Sequence, residues 1–203
     1  MGLFKLMRKL PIDLGQEGMR LKTKGKLIAY KAVPEPKPGQ TALDVGCREG
    51  TQSRRLEKKG YKVTSIDIEK AYEKCRVVDC NKKLPFKTNS FDFVWCSEVI
   101  EHLDNPEASA KEMMRVLKPE GLLVLTTPNS KCWVYRALSL IGLSPQKIQN
   151  PDHKHFFGEK NMRNIFQNAA MLGYFPYMMY KKTIRKNLNF LTPAFVIIWK
   201  KGA

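Results

Sequence analysis

The sequence is poor in cysteine, and its cysteines lack the spacing of a structural motif. Its 203 residues include five cysteines, and no two of them form a CxxC pair. They are scattered over the chain as Cys47, Cys75, Cys80, Cys96 and Cys132. An odd, scattered set argues against a structural zinc site and a disulfide framework, and it is typical of a reducing compartment. We interpret these residues as small core side chains.

Long apolar runs are also missing. The apolar stretches at residues 133–143 and 190–199 fall short of the roughly 18 residues that span a bilayer, and the first contains Arg136. Residues 1–10 lack the continuous apolar core and the small-residue cleavage site of a secretion signal. The sequence therefore predicts a cytoplasmic protein, with peripheral attachment to the inner face of the membrane as a further hypothesis.

Acidic residues are scarce at both ends of the chain. Residues 1–40 carry 9 Lys/Arg and 3 Asp/Glu, residues 41–130 carry 15 and 14, and residues 131–203 carry 12 and 2. The net charge of +17 therefore lies on the two flanks, whereas the middle is nearly neutral. Basic flanks indicate an anionic partner, either a membrane surface or nucleic acid; solvated basic faces are the alternative.

The apolar pattern divides the chain into a short extension and a larger domain. Residues 1–10 place apolar side chains at helical spacing between basic ones, which predicts an amphipathic helix, and a second helix is predicted over 18–33. Residues 1–40 thus form a basic helical extension that ends in a linker rich in proline and glycine. Residues 41–203 form one domain, within which 131–160 is a less regular insertion.

Strands and helices alternate in the larger domain, which is the pattern of a doubly wound α/β fold. The predicted helices cover residues 52–59, 106–117, 131–143 and 160–172. The predicted strands cover residues 41–45, 62–66, 74–78, 91–96, 122–126, 174–180 and 194–199. We therefore predict a mainly parallel, seven-stranded sheet with helices on both faces. The last two strands have no helix between them, so we expect an antiparallel hairpin at the sheet edge.

The segment from Asp44 to Gly50 carries the first sign of a ligand site. It follows a predicted strand, and Gly46 and Gly50 permit a tight turn in which the backbone approaches a ligand. Asp44 would accept hydrogen bonds from the loop amides or from a ligand ammonium group. An ordinary strand-to-helix turn is the alternative, because a short glycine motif is a weak signal. Arg48 stands where many such loops have glycine; a positive φ there would strain it, and its side chain would have to point away from the ligand.

Two further carboxylates follow predicted strands. Asp67 ends the second strand, where it would accept both hydroxyls of a ribose; a helix cap is the alternative, since Ile68 and Glu69 follow. Asp79 and Cys80 follow the third strand, where the carboxylate would accept from an adenine amino group or lie in a solvated turn. Together with the glycine loop, these acids predict a site for an adenosine-containing cofactor.

A string of ordered motifs runs from Leu43 to Asn129. Its segments are LDVGCREG, VTSIDI, VVDC, LPFKTNSFDFVWCSEVIEHL and RVLKPEGLLVLTTPN, with a weaker HKHFF beyond them. In this order and spacing the string resembles the class I S-adenosylmethionine-dependent methyltransferases. It is most similar to the small-molecule O- and C-methyltransferase group that includes the ubiquinone-biosynthesis enzymes. The chain after Asn129 resembles no subfamily closely enough to name a substrate.

The resemblance implies an enzyme with a Rossmann-like fold that uses S-adenosylmethionine and releases S-adenosylhomocysteine. Residues 131–160 would then lie on the acceptor side. The implied cofactor-binding residues are Asp44, Gly46 and Gly50 at the methionine end, Asp67 and Ile68 at the ribose, Asp79 and Cys80 at the adenine, and Ser97 near the sulfonium.

The segment EVIEH has two interpretations. If it is helical, Glu98, Glu101 and His102 share one face, and some relatives use this ExxEH pattern to hold a divalent ion, with His153 or His155 as a further ligand. We favour the second interpretation, a polar pocket wall without a metal. His155 and His102 are the candidates for a general base that removes a proton from an attacking hydroxyl; a surface histidine is the alternative for His155.

We predict methyl transfer by in-line displacement to an unidentified acceptor that is anionic or membrane-associated. A small-molecule or lipid-linked acceptor is preferred, with residues 1–10 as a membrane contact; nucleic acid is the weaker hypothesis, and no obligate protein partner is evident. Three alternatives stay open: a non-catalytic S-adenosylmethionine-binding protein, an RNA methyltransferase that uses the basic flanks, and a nicotinamide-dependent oxidoreductase. The last predicts GxGxxG, which this loop lacks.

Overall fold

The computed structural model describes residues 24–175 and 182–202. The helix predicted over residues 1–10 lies outside these ranges, as does most of the strand predicted over 174–180. The described helices are α1 (Lys24–Lys31), α2 (Thr51–Lys59), α3 (Pro106–Val116), α4 (Trp133–Leu140), α5 (Pro145–Ile148), α6 (Glu159–Ile165) and α7 (Leu188–Leu191). The strands are β1 (Thr41–Val45), β2 (Lys62–Asp67), β3 (Cys75–Val77), β4 (Phe91–Ser97), β5 (Leu117–Pro128), β6 (Ala170–Tyr174), β7 (Thr183–Ile184) and β8 (Ala194–Lys200). In this part of the chain, no helix is both long and apolar enough to cross a bilayer.

The strands form one sheet in the order β3-β2-β1-β4-β5-β8-β6-β7. Neighbours from β3 to β5 are parallel, and β8 runs antiparallel to both β5 and β6. The strand order reverses between β1 and β4, which is where open α/β sheets leave a crevice for a ligand. The predicted Rossmann-like α/β class, mainly parallel with an antiparallel edge and helices on both faces, is confirmed. The sheet has eight strands where we predicted seven, because the short β7 adds to β6.

The predicted edge hairpin differs from the structure in its placement. The last long strand, β8, lies inside the sheet between β5 and β6, and its residues Ala194–Ile197 are buried. A strand with neighbours on both sides tolerates a continuous apolar run, whereas an edge strand exposes backbone groups to solvent. The prediction that the last two long strands pair in antiparallel fashion is correct, but only β6 lies towards the edge.

The predicted helix over residues 160–172 is wrong in its second half. Helix α6 ends at Ile165, Asn168 adopts a left-handed φ of 61°, and β6 begins at Ala170. Gly173 explains why this segment is extended: a Cβ there would lie 2.5 Å from Thr192, so the glycine permits β6 to pack against the chain before β8. Tertiary packing has overridden the local helical pattern.

The two faces of the sheet carry separate apolar layers, because successive side chains of a strand point to opposite sides. Phe93 and Trp95 of β4 pack with residues of α1 and α2 on one face. Val94 and Cys96 pack on the other face with residues of α3 and α6. Burying each large side chain of this kind stabilises the fold by about 1.5–3 kcal/mol. The two layers hold the strands rigidly, so the loops at their carboxyl ends are positioned by the core.

Helix α3 begins as the sequence predicts. Asn105 caps it, since its Oδ1 accepts from the backbone N–H of Ala108 at 3.0 Å, and Pro106 occupies the first turn. The helix ends at Val116, and Pro119 lies inside β5 where we expected it only to end the helix. The register of β4 against β5 shifts at this point, which accommodates a residue without a backbone N–H.

Candidate functional site

The loop between β1 and α2 makes its turn with three left-handed residues. Gly46 has a φ of 75°, Arg48 of 46° and Gly50 of 75°. A Cβ on Gly46 would lie 2.2 Å from Val99 Cγ2, and one on Gly50 would lie 2.5 Å from the ring of Tyr72. Both positions therefore require glycine, for backbone conformation and for space. The expectation that Arg48 would be strained if its φ were positive holds.

A cavity of about 620 Å³ opens at the carboxyl ends of β1, β2, β3 and β4. This is the crevice that the reversal of strand order creates. Its volume is that of a ligand-binding pocket for a small molecule. The lining residues that the sequence singled out are Gly46, Asp67, Ile68, Asp79, Cys80, Ser97, Glu98, Glu101, His102 and His153.

Two of the predicted cofactor residues, Asp44 and Gly50, do not line this cavity. Asp44 is buried, and its Oδ2 accepts from the hydroxyl of Ser53 at 2.6 Å. The Ser65 hydroxyl donates in turn to Ser53 Oγ at 2.7 Å. Burial raises the pKa of Asp44 to about 6. The carboxyl therefore joins β1, β2 and α2 beneath the loop, and Gly50 serves the packing of Tyr72.

Asp67 holds the loop and lines the cavity at the same time. Its Oδ2 accepts from the backbone N–H of Arg48 at 2.9 Å, and its Oδ1 accepts from that of Glu69 at 3.3 Å. The described chain has no helix between β2 and β3, so Asp67 is not a helix cap; it bonds the loop and also lines the cavity in which a ribose was predicted. Carboxylate oxygens have several acceptor sites each, so the two roles are compatible. Ile68 beside it is 63% exposed and offers an apolar surface.

Asp79 and Cys80 form the next part of the wall. Asp79 Oδ1 accepts from the backbone N–H of Asn81 at 2.9 Å, which lowers the pKa of this carboxyl. Asn81 was missed by the sequence analysis; its Oδ1 accepts from the backbone N–H of Asp104 at 2.7 Å and joins two loops of the wall. Burial raises the pKa of Cys80 to about 12, so the thiol is protonated and inert at neutral pH.

A short hydroxyl chain connects Ser97 to a carboxylate. Ser97 Oγ lies 2.8 Å from Thr126 Oγ1, which donates to Glu98 Oε1 at 2.8 Å. Since Thr126 gives its only proton to the carboxylate, Ser97 is the donor of the first bond. Glu98 has a left-handed φ of 57°, so the segment is not helical at Glu98 and the condition for a shared face with Glu101 and His102 is not met. Only Ile100–His102 form a turn of 3-10 helix.

Glu101 is buried deeper than the other acids of the wall. Thr127 Oγ1 donates to its Oε2 at 3.1 Å, and its Oε1 has no hydrogen-bond partner among the described residues. Burial, with the charge of Glu98, raises the pKa of Glu101 well above its ordinary value. His153 Nε2 lies 3.9 Å from Glu101 Oε1. Burial, with the nearby His102, lowers the pKa of His153 to about 4, which favours the neutral imidazole.

The three histidines occupy different places. His102 lines the cavity, its Nδ1 lies 3.1 Å from the carbonyl oxygen of Asp152, and its ring meets that of His153 edge-on at 4.7 Å. Burial lowers the pKa of His102, which favours the neutral imidazole. His155 does not line the cavity; its ring stacks on Phe157 at 5.6 Å. The structure therefore brings one of the two predicted base candidates, His102, into the site.

One group of side chains has metal-binding geometry. Glu101, His102 and His153 each offer a ligand atom, and these atoms lie within 4.8 Å of one another. The group contains two of the predicted ligands, Glu101 and His102, and His153, which was named as a further ligand; Glu98 is not part of it. One carboxylate with two imidazoles is a donor set for transition metals. The proximity of these atoms alone does not test metal binding, which stays a prediction.

Comparison with known proteins defines the class. Residues 43–125 match the family model described as a methyltransferase domain. A 2-methyl-6-phytyl-1,4-hydroquinone methyltransferase of Synechocystis sp. is 38% identical over 107 residues, which are 46% of this chain and 34% of that protein. A ubiquinone biosynthesis O-methyltransferase of Xanthomonas oryzae pv. oryzae is 33% identical over 118 residues, 51% of this chain and 49% of that protein. The chain thus spans half or less of the length of these two relatives.

Solved structures agree on the fold. A SAM dependent methyltransferase from Archaeoglobus fulgidus aligns with a TM-score of 0.64 at 19% identity, over 88% of this chain and 95% of that one. An S-adenosylmethionine dependent methyltransferase from Mesorhizobium loti aligns with a TM-score of 0.63 at 16% identity, over 86% of this chain and 96% of that one. Residues 43–125 thus match a methyltransferase domain, and the chain has the fold of the S-adenosylmethionine-dependent methyltransferases. The matching family model and the shared fold support the predicted class and S-adenosylmethionine as its cofactor.

Proposed function

We propose that this protein transfers a methyl group from S-adenosylmethionine to a hydroxyl of a small, quinol-type molecule. The observation that carries the proposal is the continuity of one cavity. Asp67 and Asp79, the predicted nucleoside acids, and His102, the candidate base, line the same space. The names of the relatives, a hydroquinone methyltransferase and a ubiquinone biosynthesis O-methyltransferase, support the acceptor class.

Methyl transfer from a sulfonium requires little covalent chemistry from the protein itself. The acceptor oxygen attacks the methyl carbon in line with the carbon–sulfur bond; the new O–C bond forms as the S–C bond breaks, and the sulfonium becomes a neutral thioether. Holding the two reactants next to each other in one cavity supplies much of the acceleration. His102 would accept the hydroxyl proton, since its position on the wall and its neutral imidazole fit a general base.

Calorimetry and turnover test the proposal. The wild-type chain should bind S-adenosylmethionine and S-adenosylhomocysteine but not NAD, and it should methylate short-chain 1,4-hydroquinones or catechols. His102→Gln should lose most of the turnover while it still binds S-adenosylhomocysteine, and Lys111→Gln, exposed on α3 and outside the cavity lining, should behave as wild type. Binding of NAD alone would overturn the class of cofactor. Cofactor binding without turnover on quinol, glycan, lipid or RNA fractions would favour the non-catalytic alternative.

We also propose that the acceptor is reached at an anionic membrane surface. Leu140 and Ile141, at the end of α4, are 88% and 71% exposed, and we call them the apolar tip. Arg136 of the same helix lies 5.9 Å above the ring of Phe190, which is itself half exposed. No Asp or Glu occurs between residues 131 and 151, so the charge around the tip is basic. Exposed apolar side chains among basic ones are typical of interfacial attachment.

Flotation with vesicles tests this attachment. Leu140→Ser together with Ile141→Ser should release the protein from vesicles that contain anionic lipid, while folding and S-adenosylhomocysteine binding persist. Leu27→Ser is the matched control, because Leu27 is an exposed leucine of α1, away from the tip. Equal flotation of all three proteins would contradict the role of the tip. Deletion of residues 1–10 in the same assay tests the predicted contribution of that segment.

A further inference from the structure

The left-handed residues of the described chain fall into two groups. Three of the six that are not glycine are asparagines, the residue type that tolerates this conformation best. The other three are Arg48, Glu98 and Glu120, and the first two of these line the cavity. A side chain in this conformation costs about 1–2 kcal/mol relative to glycine. Backbone strain of this kind collects at functional sites, and here it coincides with charged cavity residues.

Arg48 occupies its position because the loop is fixed on both sides. Its backbone N–H donates to Asp67 Oδ2 at 2.9 Å, and the backbone N–H of Gly46 donates to the carbonyl oxygen of Ile66 at 2.9 Å. The loop is thus bonded to β2, and Arg48 forms part of the cavity wall. A loop fixed by such bonds holds its residues in place beside the ligand space, which is the arrangement of a preorganised binding element.

We propose that Arg48 binds a carboxylate of the ligand that occupies this cavity. The planar guanidinium donates two parallel hydrogen bonds to a carboxylate, which a glycine at this position cannot do. The wall is otherwise rich in carboxyl groups, with Asp67, Asp79, Glu98 and Asp152 among its residues. A ligand carboxylate placed in this surrounding needs a cation to offset the repulsion, and Arg48 supplies the positive charge.

The carboxylate has two sources. One is the amino-acid end of S-adenosylmethionine, which carries a carboxylate. The other is an acidic methyl acceptor in the same space. The proposal rests on the proposed function, because it takes this cavity as the cofactor and acceptor site. It goes beyond that function by assigning a binding role to Arg48, which stands where many such loops have glycine.

Paired ligands with and without a carboxylate test the assignment by calorimetry. The first pair is S-adenosylhomocysteine and 5′-methylthioadenosine, which share the nucleoside thioether but differ in the amino-acid end. The second pair is benzoate and benzamide, measured with and without S-adenosylhomocysteine. Arg48→Gln removes the charge and keeps a side chain of similar length, and Arg48→Lys keeps the charge. Arg54→Gln is the matched control, because Arg54 lies over Tyr72 and outside the cavity lining.

We expect Arg48→Gln to lower the affinity for one carboxylate ligand by about tenfold or more. The affinity for its carboxylate-free partner should fall by less than about twofold. A selective loss for S-adenosylhomocysteine assigns Arg48 to the cofactor, and one for benzoate assigns it to the acceptor. Arg48→Lys should lie between wild type and Arg48→Gln. Equal effects within both pairs, including no effect at all, would overturn the proposal. Failure of the wild-type chain to bind either adenosine ligand would instead overturn the proposed function, while the benzoate pair still tests Arg48.

Discussion

The backbone N–H of Arg48 donates to Oδ2 of Asp67 at 2.9 Å, which joins the glycine loop to the end of β2. The residue predicted to hold the ribose is therefore also the residue that fixes the loop. The conformation of the glycine loop and the predicted binding of the ribose therefore depend on the same carboxylate. Any change at Asp67 should consequently appear both in stability and in cofactor affinity.

Asp67→Ala tests this double role. The change removes the acceptor for the N–H groups of Arg48 and Glu69, so we expect the free energy of unfolding to fall by about 1–3 kcal/mol. Affinity for adenosine ligands should fall as well. Urea unfolding and calorimetry with 5′-methylthioadenosine measure the two effects. Glu73→Ala, an exposed acid outside the cavity lining, serves as the control; stability equal to wild type in Asp67→Ala would contradict the double role.

Gly46→Ala should destabilise the fold by about 2–4 kcal/mol, from the left-handed φ of 75° and from overpacking against Val99. Gly142→Ala separates the two causes, because Gly142 has a φ of 78° and no atom within 4 Å of the added Cβ. That control should cost only about 1 kcal/mol. The double variant Gly46→Ala/Val99→Ala should recover part of the loss. Thermal unfolding of the wild type and the three variants measures the losses of stability. Equal losses in Gly46→Ala and Gly142→Ala would refute the role of the close contact with Val99.

The raised pKa of Asp44 predicts a dependence of stability on pH. Its pKa rises from 3.8 to about 6 on folding, because burial disfavours the charged form. Between these values the unfolded chain releases its proton first, so stability falls as pH rises, by about 2–3 kcal/mol over the interval. Asp44→Asn should lack this loss and still accept the hydrogen bond of Ser53. Urea unfolding of both proteins at pH 3.5, 5 and 7 measures the difference; parallel profiles would show that the carboxyl does not titrate in this way.

The hydroxyl chain at the end of β4 predicts an unequal pair of substitutions. Thr126→Val removes the donor to Glu98 Oε1 and should cost about 1.5–3 kcal/mol, the range for a hydrogen bond to a charged group. Ser97→Ala removes only the neutral bond to Thr126 and should cost about 0.5–1.5 kcal/mol. Chemical unfolding of both single variants and the double variant gives the coupling energy. Equal losses would mean that Thr126 does not donate to the carboxylate.

The local part of the cofactor site could be predicted from the sequence. Gly46 follows β1 directly, Asp67 is the last residue of β2, and Asp79 lies two positions after β3. The carboxyl ends of parallel strands meet at one edge of a sheet. The period of the apolar residues was enough to locate these strands. The position of a residue at a strand end then placed it in the cavity, without any knowledge of distant contacts.

The acceptor side could not be predicted in the same way. His102 and His153 meet at 4.7 Å although 51 positions separate them, and His155, only two positions further, stacks on Phe157 instead. The backbone N–H groups of Lys154 and His155 donate to the carbonyl oxygen of Glu101, and this return of the chain decides which histidine enters the site. No periodicity in the sequence encodes such a contact between two irregular loops.

The sequence by itself determined the α/β class, the glycine loop and the order of the nucleoside acids, because these depend on local periodicity and on strand ends. Only the tertiary structure decided that β8 lies inside the sheet, that Glu98 is not part of the group formed by Glu101, His102 and His153, and that Arg48 forms part of the cavity wall. These features depend on contacts between distant segments, whose packing free energy overrides local preference. The strained Arg48 loop is held in place by its bond to Asp67 across 19 positions of sequence.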